Sequence, residues 1–461
     1  MNTKVESFFN SLKNKKITFI GIGITNRELL SLFAKNGADI TVCDKRSFEM
    51  LGEIGGELQE LGVKLVLGEN YLENLGGDMI IRTPGLNFNN EKLKEAREKG
   101  IAVTSEMEIF FDLCPCKIFA ITGSDGKTTT TTLVGKLLEL EGKTVHLGGN
   151  IGKPLLYRIN DIKPEDYAVV ELSSFQLMSM RSSPDVSLIT NISPNHLDIH
   201  ASMQEYIDAK HVILAHQNAF SRAVLNEDNA LSIESKDLVR GELLTFSRKH
   251  KVKNGAYLEN NNIVLNYKGN IQTVLNIDEI KIPGLHNVEN YMAAICMTAG
   301  LISMENIAKL AREFGGVEHR FEFVREFEGV KYFNDSIASS PTRTTAGLDS
   351  CKQKIILIAG GYDKKIPFDA FGEKILEKVK YLILMGNTAE KIKTAVTNCK
   401  DFASSGLVIV DVENMEEAIQ KARIFAQNGD IVALSPACAS FDKYKNFEER
   451  GNHFKKIVNA L

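Results

Sequence analysis

No run of about 18 apolar residues occurs anywhere in this 461-residue chain, so no membrane-spanning helix is expected. The first sixteen residues lack the apolar core of a secretion signal, and a cytoplasmic protein is expected. Cysteine is sparse, at seven residues, an odd number with no framework spacing. The one close pair, Cys114-Pro115-Cys116, is not CxxC and has no second pair, which argues against a zinc knuckle or a redox motif. The cysteines therefore read as reduced and mostly structural. Neither sign of charge is in large excess: a net charge of −4 supplies no global pull toward nucleic acid or an anionic membrane. The basic runs at Lys13–Lys16 and Arg248–Lys253 read as solvated faces or loops. Low-complexity tracts and solenoid-period repeats are also missing.

What is present is globular. Apolar residues make up 43% and charged residues 25%, and the length suits about three domains. Strand-like KITFIG (16–21) and DITVC (39–43) flank a helical pattern at Glu28–Lys35. This βαβ rhythm implies a parallel sheet with helices on both faces. It restarts at KIFAIT (117–122), continues through YAVVEL (167–172) and VSLITN (186–191), and returns with KIILIA (354–359), YLILM (381–385) and DIVAL (430–434). Residues 243–283 change to short segments broken by Asn and Gly, as in β-hairpins. The expected class is α/β with three domains: a Rossmann-like domain at 1–110, a central P-loop ATPase-like domain with a parallel sheet at 111–315, and a Rossmann-like domain at 316–461.

The strongest chemical signal is Thr122-Gly123-Ser124-Asp125-Gly126-Lys127-Thr128-Thr129, set between a strand and a helix. Glycines let backbone N–H groups face phosphate oxygens, and the helix N-terminus adds its positive end. Lys127 can reach the outer phosphates and the Thr128 hydroxyl can ligate Mg²⁺. The loop is the short TGxxGKT form, because Ile121 stands where the longer pattern has glycine. A second Gly-rich turn, Gly21-Ile22-Gly23, follows the first strand, and Asp44 ends the next. That pairing suits NAD, another nucleotide or a nucleotide-sugar; Asn26 replaces the third glycine of a dinucleotide fingerprint.

Three further residues stand out. Glu171 ends an apolar strand, where ligands of open α/β sheets bind, and is a candidate Mg²⁺ ligand. His196, in NISPNHLDIH (191–200) with Asp198, follows another strand end and is favoured for a site role. Ser202-x-x-Glu205 is a capping box opening a helix that carries Lys210, which by itself reads as a surface lysine.

These motifs, with GGNIG (148–152), ELSSFQL (171–177), GLHNVENYMAA (284–294), EHRFE (318–322), NDSIASSP (334–341), GGYDK (360–364) and LSPACASFDKYKNFEERG (434–451), resemble the Mur ligases along essentially the whole chain, and within them the D-glutamate-adding branch. The resemblance implies ATP and two Mg²⁺ as cofactors, UDP-MurNAc-L-Ala and D-glutamate as substrates, no nucleic-acid partner, no membrane insertion and a monomer. Thr25, Asp44 and Arg46 match uridine-diphosphate contacts. Asn150, Ser173 and Gln176 match muramoyl-alanine contacts. Gly123, Ser124, Asp125, Gly126, Lys127, Thr128 and Thr129 form the triphosphate loop, and Asn287, Asn290, Arg320 and Asp335 match further ATP-side residues. Lys127, Glu171, His196 and Lys210 match the catalytic centre, with Thr128, Glu171, His196 and Lys210 at the metals. Lys210 corresponds to a lysine that CO₂ converts to a carbamate. Lys364, Ser440 and Phe441 match the D-glutamate pocket. Two departures are that Ile337 stands where many relatives carry lysine, and Asn195 where an aspartate is common. Competing readings are another Mur ligase, a folylpolyglutamate synthase, a nucleotide-gated binding protein and an NAD dehydrogenase.

Overall fold

A computed structural model of the chain describes residues 3–194, 200–363 and 366–461. It contains three sheets. The first has five parallel strands in the order Lys64–Leu67, Asp39–Asp44, Lys16–Ile20, Met79–Arg82, Ala102–Thr104. The first strand of the chain stops at Ile20, one residue short of the expected end, because Gly21 turns away with φ 79°. Its Phe19 packs edge-to-face on Phe33 of the helix Ile24–Lys35 at 5.4 Å, and Phe9 meets the same ring at 6.2 Å. Aromatic pairs of this geometry add to the burial that holds helix to sheet.

The central sheet has nine strands: Asn270–Asn276, Asn262–Tyr267, Gly255–Glu259, Glu242–Ser247, Arg222–Asn226, Val186–Ile189, Lys117–Thr122, Tyr167–Glu171, Val145–Gly149. Those from Gly255–Glu259 onward in this order are parallel. Continuous apolar runs such as KIFAIT and VSLI are buried on both faces, as parallel strands require. The hairpins expected within 243–283 begin only at Gly255, since Glu242–Ser247 is a parallel strand. Asn260-Asn261 (φ 50° and 59°) and Lys268-Gly269 (φ 53° and 82°) close two tight turns there. Two successive positive φ values match the right-handed twist of the flanking strands.

The third sheet has the order Glu322–Phe327, Val330–Asn334, Ile431–Leu434, Ile355–Ala359, Val379–Leu384, Val408–Asp411; only the first pair is antiparallel. By internal contacts the chain forms two compact units. Met1–Ile277 with Val288–Leu310 holds the first two sheets, and Asp278–Asn287 with Ala311–Leu461 holds the third. Among the described residues no helix is long and apolar enough to cross a membrane.

Candidate active site

In the first unit the phosphate loop leaves the central strand Lys117–Thr122 and enters the helix Lys127–Leu140. Its shape depends on two glycines. Gly126 has φ 79°, and a Cβ there would meet Asn290 Oδ1 at 2.4 Å; Gly123 has φ 149°, and a Cβ would meet Thr190 Oγ1 at 1.8 Å. The strand-end residues beyond Val186–Ile189 brace the loop. Thr190 Oγ1 donates to Asp125 O (2.6 Å), Ser124 N to Asn191 O (2.9 Å), and Asp125 N to Asn191 Oδ1 (2.9 Å). Ser124 Oγ shares a hydrogen bond with Tyr206 Oη (2.9 Å). Asn290 also accepts from Thr130 Oγ1 (3.2 Å). Thr128 and Thr129 occupy the first turn, where helical N–H groups are open to an anion.

Two ammonium groups reach this loop. Lys127 Nζ donates to Gly123 O and Ser124 O, both at 2.9 Å. Lys210, on the helix Met203–Ala215, is 1% exposed and donates to Gly123 O at 2.8 Å. The surface position that Lys210 has by sequence alone is thus replaced by a buried one. Burial, reinforced by the charge of Lys127 and opposed by that of Asp125, brings the Lys210 amine down to about 7.

One strand over from the loop, Glu171 ends Tyr167–Glu171 and is 1% exposed. Its Oε1 accepts from Asn150 Nδ2 at 2.7 Å, while Oε2 is buried with no hydrogen-bond partner among the described residues. A buried carboxylate oxygen left open is costly unless something else occupies it. With the Thr128 hydroxyl in the same loop, the donors are hard oxygens of the kind Mg²⁺ prefers. No cluster of three His, Cys, Asp or Glu occurs among the described residues. His196, together with Asn195 and Asp198, lies outside them.

The Gly21–Gly23 turn is tied down by Asp44, whose Oδ2 accepts from Ile22 N (2.8 Å) and whose Oδ1 accepts from Arg46 N (3.0 Å). Arg46 Nε and Nη2 grip the same carboxylate at 2.9 Å, so Asp44 is committed within the protein and Arg46 is the half-exposed member. Thr25 lies in the first turn of the helix that follows. Ser173 and Gln176 form a capping box on the short helix Ser174–Leu177: Ser173 Oγ accepts from Gln176 N (3.2 Å), and Gln176 Oε1 accepts from Ser173 N (3.0 Å).

In the second unit, Asn287 Nδ2 donates to Pro283 O at 2.6 Å. Arg320 N donates to Val317 O at 2.9 Å. Asp335 is buried and accepts from Ser435 Oγ (2.6 Å) and Phe321 N (3.1 Å). Burial raises its carboxyl to about 7, and those two hydrogen bonds partly offset the rise. Ser440 is buried, and Phe441 is exposed with its ring edge-to-face on Tyr362 at 5.9 Å. Lys364 lies outside the described residues.

Comparison with known proteins sorts these features. Residues 15–105 match a family model described as Mur ligase MurD-like, N-terminal domain; 121–298 match Mur ligase middle domain; 319–438 match Mur ligase, glutamate ligase domain. Proteins named UDP-N-acetylmuramoylalanine--D-glutamate ligase from Acetivibrio thermocellus and Clostridium botulinum strain 657 are each 50% identical, over 100% of both chains. The chain belongs to the Mur ligase family. The fold is that of solved Mur ligases. A UDP-N-acetylmuramate-alanine ligase from Thermotoga maritima superposes with TM-score 0.57 at 20% identity, covering 97% of this chain and 100% of that one. A UDP-N-acetylmuramoyl-L-alanyl-D-glutamate--2,6-diaminopimelate ligase superposes with TM-score 0.58 at 19% identity, covering 98% and 93%.

Two arginines in this Mur ligase escape a motif reading. Arg82 ends the strand Met79–Arg82 at 1% exposure. Its Nη2 donates to Phe175 O (2.9 Å) and Ser179 Oγ (2.6 Å), and Nη1 to Leu86 O (3.1 Å). It therefore ties the first sheet to the segment carrying Ser173 and Gln176. Arg450, also 1% exposed, donates to Ser336 O (2.8 Å), Ser336 Oγ (3.0 Å), Ala439 O (3.0 Å) and Cys438 O (3.1 Å). One planar guanidinium thus fixes the loop before Ser440 against the loop carrying Ile337.

Proposed function

We propose that this Mur ligase adds D-glutamate to UDP-N-acetylmuramoyl-L-alanine at the expense of ATP, acting in the cytoplasm as a monomer. Its 50% full-length identity to ligases of that name supports the substrate assignment. The observation that carries the chemistry is the pairing, at neighbouring strand ends, of two loop-bound lysines with a buried carboxylate whose second oxygen is open.

In this reading residues 1–110 bind the UDP moiety through Thr25, Asp44 and Arg46. Residues 111–315 bind ATP, and 316–461 bring D-glutamate through Lys364, Ser440 and Phe441. Asn150, Ser173 and Gln176 orient the muramoyl-alanine, and Asn287, Asn290, Arg320 and Asp335 serve the ATP side. The substrate carboxylate attacks the γ-phosphorus, ADP leaves, and an acyl-phosphate forms. The D-glutamate amine then attacks the acyl carbon and phosphate departs. Lys127 exchanges its loop carbonyls for phosphate oxygens and offsets charge on the transferring group. Thr128, Glu171, His196 and Lys210 would hold Mg²⁺ at two sites. Mg²⁺, when bound, supplies the charge neutralisation that lets a carboxylate approach a triphosphate. An amine near 7 is unprotonated in about half of the molecules at neutral pH, so Lys210 can attack CO₂, lose a proton and become an anionic carbamate.

The test is phosphate release from ATP and UDP-MurNAc-L-Ala with a panel of amino acids. Release with D-glutamate, and not with L-lysine or meso-diaminopimelate, is expected. Release with either of the latter and not with D-glutamate overturns the substrate assignment; ATP binding with no amino-acid-dependent release overturns ligase activity.

A further inference from the structure

The Cys114-Pro115-Cys116 segment joins the helix Glu106–Leu113 to the strand Lys117–Thr122, which runs directly into the phosphate loop. Spacing alone argued against a redox role; the geometry argues for one. Cys114 caps the helix, its N–H donating to Phe110 O at 2.8 Å, and then turns to φ −59°, ψ 123°. A residue before proline is held extended in this way. In extended backbone, residues two apart project to the same side. The two sulfurs accordingly lie 3.6 Å apart and share a hydrogen bond, with Cys114 Sγ also 3.7 Å from Cys116 O. Two residues of chain span at most about 7 Å, at the upper edge of what a disulfide bridges.

The pair also differs chemically from the other thiols. Burial raises Cys43, Cys351 and Cys438 to about 11 and Cys296 to about 12. Cys114 is lowered instead, chiefly because the Cys116 thiol donates to its sulfur, and Cys116 is raised by the same bond. Cys114 is partly exposed and Cys116 buried, the arrangement of an attacking thiol with a resolving partner behind it.

We propose that Cys114 and Cys116 form a dithiol that closes reversibly to a disulfide, a modification site at the joint between the N-terminal and central sheets. A small-molecule disulfide serves as oxidant. The Cys114 thiolate attacks one of its sulfurs, forming a mixed disulfide and expelling one thiolate. Cys116, losing its proton, then attacks the Cys114 sulfur and expels the second. Two electrons pass from the dithiol to the oxidant, which leaves as two thiols.

Trypsin places both residues in one peptide, Gly100–Lys117, with no other cysteine. The full-length protein is incubated with oxidised glutathione, alkylated, digested and weighed, beside a denatured thiol count. The peptide is expected to lose two hydrogens and escape alkylation, the count to fall from seven to five, and dithiothreitol to reverse both. Cys116→Ser is expected to stop at a persistent glutathione adduct on Cys114. A wild-type peptide that stays doubly alkylated, that retains glutathione without closing, or that bridges to another cysteine overturns the proposal.

Discussion

Replacing Lys210 by methionine should stabilise the fold at neutral pH while abolishing the ligase. The amine has an ordinary value of 10.5 and lies at about 7 in the folded chain, with burial as the chief cause. At about 1.36 kcal/mol per pH unit, that difference corresponds to roughly 4–5 kcal/mol. Below pH 7 folded and unfolded chains both hold the proton, and folding bears the whole cost of burying the charge. Between pH 7 and 10.5 the unfolded chain binds a proton the folded chain has released, so stability rises with pH. Above 10.5 neither holds it and the cost is gone. Methionine keeps most of the stem volume and removes the charge. It forfeits one hydrogen bond to Gly123 O, worth about 1 kcal/mol, and that carbonyl still accepts from Lys127. The variant should therefore gain roughly 3 kcal/mol near pH 6.5 and nothing, or a slight loss, near pH 10.5. Denaturant midpoints in CO₂-free buffer at the two pH values measure this, with phosphate release as the activity readout. A variant that is less stable than wild type at both values, or whose advantage does not shrink with rising pH, refutes the reasoning.

Glu171→Gln keeps an acceptor for Asn150 and removes the open anionic oxygen, so phosphate release should fall by about a hundredfold or more while the unfolding midpoint holds; an active variant contradicts the metal role. Gly126→Ala forces a Cβ against Asn290 Oδ1 at positive φ, which should cost about 2 kcal/mol and ATP affinity; adding Asn290→Ala should recover the part due to the clash but not the part due to φ, as denaturation and nucleotide titration can show. Arg82→Met leaves Phe175 O and Leu86 O without their donor, a loss of about 2–5 kcal/mol; KM for the UDP substrate should rise well beyond KM for ATP, and equal changes in both would reduce Arg82 to a purely structural role.

The phosphate loop was legible because its chemistry is local: backbone N–H groups, a lysine and a threonine must fall between one strand and one helix. Glu171 was legible for the related reason that a carboxylate ending an apolar strand has few structural uses. Arg82 carries the same signal, a charge ending MIIR, yet its partners Phe175 and Ser179 stand more than ninety residues away, and only the packing of two sheets brings them together. Arg450 falls three residues after Phe447, four before Phe454 and eight before Val458, on the apolar stripe of its helix, so its burial follows from helical spacing although its four acceptors do not. Lys210 had no local mark, since its burial depends on a helix crossing the end of a strand nearly ninety residues earlier. The 3.6 Å approach of the two thiols was not legible from spacing rules, because those rules count residues and ignore what Pro115 does to the backbone before it.

The site's charge pattern explains why these elements belong on one sheet. The carboxylate of one substrate and the triphosphate of the other repel each other, so a ligase of this kind must supply separate seats of opposite sign close together. The strand Lys117–Thr122 lies between Tyr167–Glu171 and Val186–Ile189. On one flank Glu171 presents an anionic oxygen suited to a cation. Above the strand itself, Lys127 and a helix N-terminus present positive charge suited to phosphates. On the other flank Thr190 and Asn191 hold the loop rigid without adding charge. Parallel strands stand about 5 Å apart, so both seats fall within one strand spacing of the phosphate loop. Burying an ammonium group beside that of Lys127 weakens the fold, as the lowered Lys210 value, due chiefly to burial, records. The proposed carbamate accounts for that cost, since a buried amine near 7 can take up CO₂ and an uncharged leucine at 210 could not.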